Sequence, residues 1–203
     1  MAISKYSKPD ELINQINNAE YTDTVKAAVK HINANESVLI AAVKKSNDFY
    51  SNYANEILRE VVASNKVTPS VLVDVINANN VGSPTIINAV KSSKADERVL
   101  KEAIKRSNGF YSNYANEILR EVVASSNVTP SVLVEVINAQ NVTSSTIIKA
   151  VNSSKADVSV LKAAVKKSNG FYSNYADEIL RGVVASDKVT SSVLVDVINA
   201  QNV

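Results

Sequence analysis

The stretch Phe110-Tyr-Ser-Asn-Tyr-Ala-Asn-Glu-Ile-Leu-Arg-Glu-Val-Val-Ala124 decides the fold. Its apolar residues Ile118, Leu119, Val122 and Val123 stand at i, i+1, i+4 and i+5. That spacing places four side chains on one stripe of a helix and suits no strand alternation. The opening Phe-Tyr-Ser-Asn-Tyr-Ala begins at Phe49, Phe110 and Phe171, each 61 residues after the last. Residues 49–109 and 110–170 differ at about 13 positions, and a weaker match, Val38-Leu39 with Ala42-Val43 against Val99-Leu100 with Ala103-Ile104, extends the period upstream. The chain is a tandem repeat, and self-similarity of this kind outranks any other signal of architecture.

Each 61-residue copy divides into four units with one signature, two apolar residues, two variable ones, then two more. In order they are Val71-Leu72/Val75-Ile76, Ile86-Ile87/Ala89-Val90 with a single residue between its pairs, Val99-Leu100/Ala103-Ile104 and Ile118-Leu119/Val122-Val123. Val and Ile favour strands modestly, but the recurring period outweighs that preference. Thr68-Pro69, Ser83-Pro84 and Thr129-Pro130 read as an N-cap hydroxyl followed by proline at the first helical position. Asn108-Gly109 and Asn169-Gly170 read as helix ends with glycine in the left-handed conformation. Clusters such as Lys91-Ser-Ser-Lys94 fill other joints.

The expectation is an all-α chain, a right-handed α-solenoid of about 13 short stacked helices of roughly 9–16 residues, with joints of three to five. It forms one domain over 1–203, with an N-terminal capping unit at 1–20, a divergent partial copy at 21–48, repeats at 49–109 and 110–170, and a partial repeat at 171–203. At 8–10 Å between packed helices, one copy spans two layers and advances the array by roughly 20 Å. Thr129-Pro-Ser-Val-Leu-Val-Glu-Val-Ile137 followed by Val160-Leu-Lys-Ala-Ala-Val-Lys166 resembles HEAT/armadillo-type helical repeats. It is nearer still to the leucine-rich repeat variant, with its short helices and Thr-Pro start. The unit lengths depart from that family's regular period, and the resemblance implies architecture but no functional residue.

Composition narrows the function. Only four Gly and four Pro in 203 residues argue against the many turns of a sandwich or barrel. A net charge of +2 with intermixed signs is no footprint for nucleic acid. The chain has no Cys, so it has neither disulfides nor thiolate metal sites. That suits a reducing cytoplasm and equally a thiol-free cell surface, so the compartment stays open, with cytoplasm the default. The first ten residues carry no apolar signal region, and no 18-residue apolar run implies a membrane span.

No catalytic, cofactor-binding or metal-binding set is expected. His31, the single histidine, sits in Val-Lys-His-Ile-Asn-Ala and reads as a helix-end residue. The acids Glu56/Glu117/Glu178 and Asp74/Glu135/Asp196 are scattered once per unit and read as solvated faces, with Glu117 three residues before Arg120 as a helix pair. Gly-rich phosphate loops and Gly-x-Ser-x-Gly are absent. Asn77, Asn138 and Asn199 follow a stripe and are assigned a structural role at the joints. Phe110 and Tyr114 are expected to pack the start of the longest helix. The competing reading makes Tyr50, Asn52, Tyr111, Asn113, Tyr172 and Asn174 a periodic binding surface.

The two ends differ. The first unit, Ser7–Asn18, replaces Val71, Asp74 and Val75 with Glu11, Asn14 and Gln15, as a polar end cap should. The last unit keeps Val193, Leu194, Val195, Val197 and Ile198 unmodified, an apolar end expected either to abut another subunit or to be the cut end of a longer array. A non-catalytic scaffold follows, one that joins itself as a homo-oligomer or head-to-tail filament. The alternative is a protein- or peptide-binding adaptor using the Tyr/Asn surface, and an enzyme is the distant third.

Overall fold

The structure is a computed structural model and describes residues 3–200. Met1, Ala2 and 201–203, the outer edges of the expected cap and of the last partial repeat, lie outside the described residues. Among the described residues there are thirteen α-helices and no strand. They run 8 to 13 residues, slightly shorter than the apolar stripes imply, and the joints are correspondingly longer, at four to six residues.

Two compact units divide the chain, Met1–Glu102 and Ala103–Val203. The first holds α1 (Pro9–Asn17), α2 (Thr22–Val29), α3 (Glu36–Ser46), α4 (Ser51–Ala63), α5 (Pro69–Asn77) and α6 (Ser83–Lys91). The division falls within α7 (Glu97–Ser107). The second unit holds α8 (Ser112–Ala124), α9 (Pro130–Asn138), α10 (Ser144–Val151), α11 (Val158–Ser168), α12 (Ser173–Val184) and α13 (Ser191–Ile198). Within each unit a helix packs on neighbours one or two places away: α1 on α2 and α3, α2 on α4, α9 on α10 and α11, α10 on α12. Helices this short are marginal alone in water, so their stability comes from burying the stripe. Leu72 and Ile76 of α5, and Leu133 and Ile137 of α9, are wholly buried. Each such side chain contributes about 1.5–3 kcal/mol.

The helix starts follow the Thr-Pro expectation at α5 and α9, where Thr68 and Thr129 accept the N–H of Val71 and Val132 at 3.3 Å. At α6 the cap is Gly82, not Ser83, which is buried inside the first turn. The expected left-handed glycines are not found: no described residue has a positive φ. Gly109 and Gly170 instead donate to the carbonyls of Arg106 and Lys167, three residues back at 3.1 Å, in a turn open to any residue. Asp48 occupies the same place after α3 and makes the same bond to Lys45.

Serine turns follow five of the described helices, α4, α6, α8, α10 and α12. Ser64, Ser92, Ser125, Ser153 and Ser186 each accept, through the hydroxyl, the N–H two residues on at 3.2–3.3 Å. Each carbonyl also takes the N–H of the third residue on, and that residue (Val67, Ala95, Val128, Ala156, Val189) turns inward. A serine turn of this kind supplies the backbone with local partners and stops the helix. It explains how so many joints form with so few glycines.

Candidate functional site

Three features could carry function: a set of asparagines between helices, the tyrosines at the start of α4, α8 and α12, and the outer face of α13. The first resolves as structure. Asn55 lies on the buried side of α4, and its amide is fully used. Nδ2 donates to the carbonyls of Ser51 and Asn80, at 2.5 and 2.8 Å. Oδ1 accepts the Gly82 N–H at 2.8 Å and the Thr85 hydroxyl at 2.7 Å. Asn116 makes the same four bonds 61 residues later, to Ser112, Asn141, Thr143 and Thr146. A buried amide with both donors and both lone pairs satisfied ties α4 to the start of α6, and α8 to the start of α10. Asn80 and Asn141 complete the tie by donating to the carbonyls of Phe49 and Phe110. Asn47 and Asn108 accept the N–H of Asn79 and Gln140.

Sequence reasoning placed this role on Asn77, Asn138 and Asn199, which are exposed at the ends of α5, α9 and α13. It missed Asn55 and Asn116. The available signal was an amide beside Ala54 and Ala115 on the apolar side of the stripe. A second signal is that the third copy has Asp177 there. Asp177 is exposed and pairs with Arg181 at 2.7 Å.

The tyrosines stand outward. Tyr50, Tyr111 and Tyr172 are each 84% exposed at the N-cap positions, and Asn52, Asn113 and Asn174 are exposed beside them. Tyr114 is about half exposed and Phe110 half-buried, so the expected packing of this pair is only partial. The physical reason is position: the chain turns into the helix here, and only Ala115 and the residues beyond it face the neighbouring helices.

The face of α13 is the sharpest departure from the pattern of the other helices. Val193 is buried and Val197 half-buried, but Leu194, Val195 and Ile198 are 39%, 55% and 73% exposed. Leu133 and Ile137, 61 residues earlier, are fully buried. The difference is in what packs on each helix. Among the described residues, α9 contacts α10 and α11 ahead of it, whereas α13 contacts α11 and α12, behind it.

No family model matches the chain, and no curated protein does.

The groups considered for chemistry are dispersed. His31 Nδ1 accepts the Asn33 N–H at 3.1 Å, which leaves Nε2 to donate to the Ser4 carbonyl at 2.9 Å, so the ring pins the first residues against the end of α2. Glu56 pairs with Lys26 at 2.8 Å, and Lys30 with Glu60 at 2.8 Å, bridging α2 and α4. The two carboxylates beside Lys26, Glu56 and Asp23, hold its ammonium above the ordinary lysine range. Asp196 lies 3.9 Å from Lys162. Arg120 reaches Ser145 at 3.3 Å rather than Glu117. Among the described residues, no three His, Asp or Glu side chains gather as metal ligands. No described helix is long and apolar enough to cross a membrane. An open cleft of about 740 Å³ beside α1 and α2 is lined mostly by polar side chains, among them Asn14, Gln15, Glu20 and Tyr21, with Glu11 already accepting the Lys8 N–H.

Proposed function

We propose that the chain is a non-catalytic scaffold of the α-solenoid type, right-handed and built on the 61-residue repeat, that works by assembling with further copies of itself. The observation that carries this reading is the exposed stripe of α13. Leu194 and Ile198 occupy positions that are fully buried in α9, and an apolar face of this kind is a contact surface. Short joints, serine-ended helices and packing confined to near neighbours support a stacked array. The dispersal of carboxylates and the single histidine support the absence of catalysis.

Sedimentation of the full chain over a range of concentrations tests the reading, with electron microscopy of the same samples. The expected result is a mass that rises with concentration and a loss of that rise in Ile198→Asp. A monomeric mass throughout, without binding of an apolar dye, overturns it.

The second reading, a protein- or peptide-binding adaptor, is favoured by the 84% exposure of Tyr50, Tyr111 and Tyr172. Tyr111→Ala with Tyr172→Ala separates the two. Loss of association in that variant, with Ile198→Asp unaffected, transfers the function to the tyrosine surface.

A further inference from the structure

Resting on the adaptor reading of the tyrosine surface, the chemistry of the second unit, Ala103–Val203, also narrows the partner. We infer that the edge bearing Tyr111 and Tyr172 is a docking surface for an acidic segment of another protein, taken up as an extended chain.

Hydrogen bonds bring three joints of this unit onto one edge. The Gln140 N–H donates to Asn108 Oδ1 at 3.0 Å, and Asn141 Nδ2 donates to the Phe110 carbonyl at 3.2 Å. These bonds set the end of α7 and the start of α8 beside the α9–α10 joint. Lys167 Nζ donates to the Ala139 carbonyl at 3.2 Å and sets the end of α11 beside the same joint, with α12 beginning four residues on. The segments that form this edge, 103–116, 136–147 and 164–176, hold Lys105, Arg106, Lys166 and Lys167 and no Asp or Glu. The corresponding segments of the first unit, 14–25, 42–55 and 75–86, hold Lys44 and Lys45 against Glu20, Asp23 and Asp48. Asp48 pairs there with Lys45 at 3.1 Å, and Gly109 and Gly170 take its place in the later copies. The edge of the second unit is cationic where that of the first is not.

Four tyrosine rings stand among these charges. Tyr111 and Tyr172 are largely exposed, Tyr114 and Tyr175 about half exposed, and exposed Ser and Asn side chains lie between them. Tyrosine with Ser and Asn is the composition of a protein-recognising surface, in which the rings give rigid contact area and the small polar groups adapt. Lysine and arginine beside them favour and steer a carboxylate-bearing partner. Tyr111 is as exposed as Tyr172 although α9 to α13 follow it, so the turn into the helix sets this exposure, not the place where the sequence stops. From the end of α7 to the end of α11 is two helix spacings, about 16–20 Å, which about six extended residues cover.

The test is fluorescence anisotropy of the full chain with a labelled peptide of Glu and Leu, about twelve residues long. A Lys and Leu peptide and an oligothymidylate of equal length are the comparisons. The acidic peptide alone is expected to bind, and less tightly as salt rises. Gly109→Asp with Gly170→Asp is expected to weaken it about tenfold or more. Asp48 already makes the same turn, and a Cβ at either glycine meets only a carbonyl at 3.5 Å, so this variant keeps the fold, as circular dichroism checks. Tyr111→Ala with Tyr172→Ala is expected to weaken binding by a similar factor. If the aspartate variant binds like the parent while the tyrosine variant does not, the acidic class is wrong and the adaptor reading stands. If the tyrosine variant binds like the parent, the tyrosine surface falls. Equal binding of the Lys peptide or of the oligothymidylate overturns the proposal. So does a parent chain that leaves the acidic peptide free, and the association assay on the tyrosine variant then decides the adaptor reading by itself.

Discussion

Asn116 shows how one side chain can hold two helices without apolar contact. Its amide answers two carbonyls, one N–H and one hydroxyl, and removing it takes from the Asn141 carbonyl and the Thr143 N–H their partner across the two helices. Asn116→Ala should cost about 2–3 kcal/mol, read from denaturant titration, and a change under about 0.5 kcal/mol would refute the tie. Asp157, the cap of α11, makes a second prediction. The Ser159 hydroxyl, bonded to it, holds its carboxyl below the ordinary range, against the opposing effect of burial, and the N–H groups of Val160 and Ser159 add to the lowering. A depressed folded value stabilises the anion-bearing fold at pH above the unfolded carboxyl value of about 3.9. That contribution is lost as pH falls through the folded value. Asn35 is the cap at the same place in α3 and does not ionise there. Asp157→Asn should therefore match the parent at pH 7 and lose less melting temperature on acidification to about pH 3. Equal losses in both proteins would contradict it.

At the scale of the helix, burial separates equivalent residues that the sequence cannot tell apart. Leu133 is fully buried and Leu194 is 39% exposed, although both sit in a Ser-Val-Leu-Val run. Leu133→Ala should cost about 2–5 kcal/mol by thermal or chemical unfolding, and Leu194→Ala under about 1 kcal/mol. Similar costs would mean that α13 is covered as α9 is. The helices themselves were legible because Ile118, Leu119, Val122 and Val123 repeat a spacing that only a helix can bury, and because Thr68 and Thr129 are strong caps. Gly109 misled, since glycine after an apolar run suggests a left-handed cap while Asp48 at the same position shows that none is needed. Asn116 was hidden for a different reason. Three of its four partners lie 25 to 30 residues away, and a single polar residue on a stripe resembles a surface position until the neighbouring helix is in place.

At the scale of the molecule, within each of the two units the described helices pack on neighbours one or two places away, which makes stability a local property. Leu39→Ala, in the buried face of α3, should speed amide exchange through α1 to α5 and leave α9 to α13 at the parent rate. Hydrogen exchange read by mass spectrometry checks this, and an equal acceleration everywhere would show one cooperative body instead. The serine joints carry a different consequence. Among the described residues they use only backbone conformations open to every residue, and each serine turn closes on its own local partners. Recombination between copies 61 residues apart therefore joins one serine turn to another of the same local chemistry.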